Sequence, residues 1–261
     1  MPMKESGIVI SNDQNGAQWL SKAETLTDAR TLYPTSTVDA NVWYHSSSSD
    51  ASSANSGDQP YSYVVQESDG VGASLYSKTT DATFVDGKSY YTKSGNTFTK
   101  DNTVVAGNPI SSEYYEVQTD ATASYYQLNK FYIKSATTSA VNKQLIVDSV
   151  TISGVTNSAE LDKSLRVLVK CSGFTKIYCL SGATTSYNVG PTAGNTATAL
   201  VVDDDGSKNL NVTGANSVPA TTPLEADIYC YFEGEDENCI SDNVKSSLDQ
   251  LTISVSFKTA A

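Results

Sequence analysis

The chain has 261 residues, 39% of them hydrophobic, and a formal net charge of −12. Phosphate binding needs clustered lysine and arginine, and with Arg30 and Arg166 as the only arginines no guanidinium cluster can form, so nucleic acid is excluded as a partner. No window holds the roughly 20 apolar residues of a membrane-spanning helix, so no membrane span is expected.

In chain order, Met1-Pro-Met-Lys-Glu-Ser leads without an export signal into a short apolar strand, Gly7-Ile-Val-Ile-Ser11, followed by the turn-forming run Asn12–Gly16. Leu20, Ala23 and Leu26 follow a helical spacing within Ala17–Arg30, and Pro34 ends that stretch. Val38–His45 is strand-like. Ser46–Gly57 is low in complexity and reads as a surface loop, since it holds too little apolar surface to be buried.

Residues 75–118 read as an inserted, Tyr-rich β-meander. Thr-Asp-Ala-Thr occurs at 80–83 and again at 119–122, and turns at Ser94-Gly95-Asn96 and Gly107-Asn108-Pro109 separate short aromatic strands. Further strands are expected over Tyr125–Lys134, Gln144–Ser153, Ser164–Cys171, Phe174–Leu180 and Thr196–Val202. A short helical turn is expected near Leu248.

The clearest alternation lies at the end. Leu251, Ile253, Val255 and Phe257 alternate with Thr252, Ser254 and Ser256, while Ala226, Ile228, Cys230 and Phe232 alternate with Asp227, Tyr229 and Tyr231. Period two places one set inward and leaves the other wet. The fold class is therefore all-β: a jelly-roll-like antiparallel β-sandwich with an inserted small β-meander. Its parts are an N-terminal strand and tether (1–16), the sandwich (17–74 and 119–261) and the insertion (75–118).

Candidate sites are few. Asp203, Asp205, Glu235 and Glu237 are the weak calcium candidates, but Asp203-Asp204-Asp205-Gly206 lacks the spacing and the closing Glu of an EF-hand loop, and both it and the acidic cluster Glu233–Glu237 read as solvated turns; no metal site is claimed. His45 is the only histidine and no Cys-x-x-Cys occurs, which leaves zinc unsupported. Cys171, Cys179, Cys230 and Cys239 permit three disulfide pairings or four buried thiols. Asn211-Val-Thr213 is a glycosylation sequon. No nucleophile elbow, phosphate loop or dinucleotide fingerprint is present. No catalytic residue and no cofactor is expected; paired carboxylates of a hydrolase are the surviving enzyme hypothesis.

Phe131-Tyr-Ile-Lys-Ser135, Leu145–Ser153, Leu161–Val167, Tyr231–Cys239 and Leu32-Tyr-Pro-Thr-Ser-Thr37 resemble secreted bacterial proteins of the TasA/camelysin type, over roughly 7–45 and 125–258. The resemblance implies a jelly-roll subunit that polymerises with copies of itself into extracellular or cell-surface fibres of the biofilm matrix. It also implies that an N-terminal segment completes a sheet in the next subunit, here Gly7, Ile8, Val9, Ile10 and Ser11. The insertion is similar to segments of tail and capsid proteins of bacterial viruses, so a virion structural protein is the alternative. A module contacting host or cell-surface glycans through exposed tyrosines is the third reading.

Overall fold

The computed structural model describes residues 7–15, 32–46, 61–66, 72–153, 161–202, 207–239 and 252–261. The helix expected within 17–30, most of the loop at 46–57, Asp203–Asp205 and the turn near Leu248 lie outside these residues. Among the described residues the regular secondary structure is nearly all strand, with sixteen strands and one helical turn, α1 (Leu161–Ser164).

The seven-stranded sheet has the order β1 (Ile8–Ser11), β8 (Tyr126–Ser135), β15 (Leu224–Phe232), β10 (Leu165–Cys171), β11 (Phe174–Cys179), β13 (Thr196–Val201) and β12 (Ser186–Asn188), numbered along the chain. Neighbours are antiparallel except β11 with β13, which are parallel. A three-stranded sheet of β14 (Ser207–Asn211), β9 (Leu145–Ser153) and β16 (Thr252–Thr259) packs on one face. Ile133, Val167, Val169 and Ile228 from the larger sheet meet Leu145, Val147, Val150, Val255 and Phe257 from the smaller, which is the sandwich expected from the alternation.

In β16 burial alternates along all eight residues, so Ile253, Val255 and Phe257 point inward. In β9 it does not: Leu145 and Val147 are buried, then Val150. Ser149 pairs with Ser256 while Val147 pairs with Phe257, so Asp148 is an extra residue. That bulge shifts the parity and keeps the apolar residues on both sides of it inward.

The other face of the large sheet is also covered. A six-stranded sheet runs β2 (Trp43–Ser46), β3 (Tyr61–Gln66), β4 (Ala73–Lys78), β7 (Tyr115–Asp120), β5 (Tyr91–Ser94) and β6 (Thr97–Lys100). It begins at Trp43, so the limits expected at 75 and 118 fall inside β4 and β7. Trp43 and Val64 pack with Leu168, Tyr229 and Tyr231, and the Trp43 ring meets Tyr231 edge-on at 5.0 Å. This layer overturns the wet face expected for Tyr229 and Tyr231: they are 8% and 0% exposed. On its opposite face the six-stranded sheet builds an aromatic core of its own. Phe98 stacks on Tyr76 at 4.0 Å and packs against Tyr63 and the buried Tyr115. The hairpin at Asn96 folds back until its amide donates to the Asn41 carbonyl at 2.9 Å.

Candidate functional site

β1, the strand singled out by the sequence, lies at one end of the seven-stranded sheet. Ile8, Val9, Ile10 and Ser11 face Ser135, Lys134, Ile133 and Tyr132 of the chain's own β8. Gly7, with φ +64, extends the ladder by accepting the Ala136 amide at 2.9 Å. Within the single chain this strand pairs with its own β8, and Ile8 and Ile10 fill the sandwich core. All four strand residues are buried. The outer edge of β1 has no strand partner among the described residues, and an edge of that kind presents amides and carbonyls to which another strand can pair.

A second cluster lies where β15 ends. Glu233, Glu235 and Asp236, expected in a solvated loop, are 0%, 3% and 0% exposed, and only Glu237 stays outside. Composition marked this turn as wet; the fold closes two layers over it. Arg166, at the start of β10, pairs with Asp236 at 2.6 Å, and neither side chain is exposed. Its guanidinium also donates to the carbonyls of Lys163, Leu165 and Thr184. Asp236 additionally accepts the Thr184 amide at 2.8 Å. Glu235 accepts the Tyr61 hydroxyl at 2.9 Å, which ties the turn to β3.

Glu233 accepts the Ser36 hydroxyl and the Glu235 amide on one oxygen. Its other oxygen meets no donor at full hydrogen-bond geometry, although the Tyr187 hydroxyl lies close enough to favour the charged form; the Tyr187 and Tyr231 hydroxyls are likewise buried without a well-formed hydrogen bond. Burial pushes the Glu233 carboxyl up to about 7, against the pull of Arg166, the two donors and the Tyr187 hydroxyl. Burial also raises Glu235, and it raises Tyr187 and Tyr231 together with the nearby Glu233 charge. No sequence signal marked Arg166 as the partner of this turn, because 70 residues separate it from Asp236.

A cleft of about 170 Å³ opens beside β2, lined by Asn41, Trp43, Tyr63, Gln66, Phe98 and Tyr126 among others. Among the described residues no carboxylate, histidine or cysteine lines it. Gln66 is committed to the backbone of Tyr125 and Tyr126, and the Asn41 side chain to Lys170 and Asp39. His45 bonds the Pro34 carbonyl at 2.8 Å, and burial lowers its basicity.

Among the calcium candidates, Asp203 and Asp205 lie outside the described residues, Glu235 is engaged with Tyr61, and Glu237 points outward. No group of three potential metal ligands occurs among the described residues. The four cysteines, for which pairings were open, are all buried free thiols. Comparison of the chain with family models, curated proteins and solved structures finds no match.

Proposed function

We propose that this chain is a non-enzymatic structural subunit that assembles with copies of itself into an extracellular or cell-surface fibre by pairing strands between subunits. The observation that carries this reading is β1: four buried residues at a sheet edge with no further strand among the described residues, inserted beside β8 through a register that a second copy would offer identically. Exchanging one strand for its twin replaces every pair by an equal one, so the swap costs little beyond association. A jelly-roll strand arrangement belongs to the same reading.

The test mixes two single variants, Val9→Cys and Lys134→Cys, which face each other across the β1–β8 ladder. Cysteines at facing strand positions lie within disulfide reach. Exchange yields chains cross-linked in pairs within the assembled material. Assembly without that cross-link, alongside closure of the bond inside single chains of the double variant, overturns it. Micrographs of the protein at its source separate a fibre from the alternative, a virion.

Contact with surface glycans is a second reading, favoured by the aromatic cleft around Tyr63 and Phe98. A glycan array with the wild-type chain and a Tyr63→Ala, Phe98→Ala variant tests it, and equal signals from both sink it.

A further inference from the structure

Three carboxyls and one guanidinium are buried together at the turn after β15, and their partners are unequally shared. Asp236 holds the Arg166 cation, and the remaining donors of Arg166 go largely to carbonyls. Glu233 is left with neutral donors: the Ser36 hydroxyl and Glu235 amide on one oxygen, and the Tyr187 hydroxyl close by without a well-formed hydrogen bond to the other. A fully desolvated carboxylate without a cation of its own is costly, whereas a protonated one retains an O–H to offer a neighbouring hydroxyl oxygen.

The turn is also a joint. The Thr35 amide donates to the Phe232 carbonyl at 2.9 Å, and the Gly234 amide donates to the Thr35 carbonyl at 3.1 Å. Ser36 bridges to Tyr44 of β2 and donates to Glu233, while Tyr61 of β3 donates to Glu235. The segment Leu32–Thr37 and the six-stranded sheet are therefore fastened to the end of β15 by two backbone hydrogen bonds and by the Glu233 and Glu235 carboxyls, with Glu233 the one that holds the segment.

We propose that Glu233 is a proton-operated latch: with its carboxyl protonated it holds the Leu32–Thr37 segment against the end of β15, and loss of that proton loosens this joint. The groups around it are Arg166 from β10, Tyr187 from β12, Tyr231 from β15, Tyr61 from β3, Cys179 from β11, and Glu235, Asp236 and Cys239 from the turn itself. Burial keeps the tyrosines and thiols neutral through the physiological range, with Cys239 pushed up to about 12. Glu235, also raised by burial, and His45, bonded to Pro34 beside the joint, are the other groups that titrate nearby. A carboxyl whose folded value lies above its ordinary one adds stability at acid pH and loses it as pH rises towards about 7.

The experiment compares the full chain with Glu233→Gln, a neutral amide of the same shape, by equilibrium unfolding from pH 5 to pH 8. Titrations elsewhere cancel in the comparison. The folding equilibrium of the wild type should fall relative to the variant on the order of 100-fold across that range. Hydrogen exchange at the Thr35 and Gly234 amides should lose protection with rising pH in the wild type alone. Parallel pH dependences, or equal protection in both proteins, overturn the latch. If the variant does not fold, carbon NMR of the Glu233 carboxyl in the wild type decides: a midpoint near 7 supports the proposal and one in the ordinary carboxylate range refutes it.

Discussion

Arg166 and Asp236 meet at 2.6 Å with neither side chain exposed, joining the first residues of β10 to the turn that closes β15. Removing one partner strands a charge in the interior. Asp236→Ala should therefore cost about 3–5 kcal/mol, while the paired change Arg166→Leu with Asp236→Leu should cost less than the single one. Urea unfolding of the three proteins measures both. Equal losses for the single and double variants would show that packing, not the stranded charge, dominates.

Gly190 and Tyr44 form another contact between layers. Gly190 has φ +71, and a Cβ there would lie 2.7 Å from the Tyr44 ring. Gly190→Ala meets both backbone strain and this ring, with an expected loss of about 1–3 kcal/mol. Tyr44→Ala in the same chain should relieve the ring clash but not the strain, giving a coupling of about 0.5 kcal/mol or more in a double-mutant cycle.

His45 opposes Glu233 in its pH dependence. Its folded value is lowered by burial, so the unfolded chain takes up the proton first and stability is lost as pH falls through about 6.5. His45→Gln keeps an amide donor for the Pro34 carbonyl and carries no charge. The wild type should lose more Tm than this variant between pH 7.5 and pH 5.5. Identical profiles by calorimetry would remove His45 from the account.

All four thiols are buried, and burial pushes Cys171 to about 11 and Cys230 to about 12. The thiolate is the reactive form, so a thiol reagent at pH 8 should label none of them in the folded protein and all four once it is unfolded. A mild reductant should leave the Tm unchanged.

Much of the sandwich was legible because burial on one face prints itself as period two. β16 and the inward half of β15 follow that rule residue by residue. It failed where a second layer covers the sheet: Tyr229 and Tyr231 look like wet-face residues until the six-stranded sheet is in place. In β9 the bulge at Asp148 breaks the alternation, and nothing local announces it. The acidic turn was misread for the same underlying cause, since its burial depends on Ser36, Tyr61 and Arg166, all distant along the chain. The apolar strand at Gly7–Ser11 was legible as a strand, but its partner was not, because β8 of the same chain and β8 of a copy offer it the same ladder.

A strand buried on both faces narrows what its sequence can become. From Leu165 to Val169 every residue of β10 is buried, with Leu165, Val167 and Val169 committed to one core and Leu168 to the other. Ordinary surface strands accept polar drift at every second position. Here the one polar member, Arg166, is itself tied to a buried carboxylate, so no substitution along this run is silent, and mutational tolerance should be sought in the outer sheets.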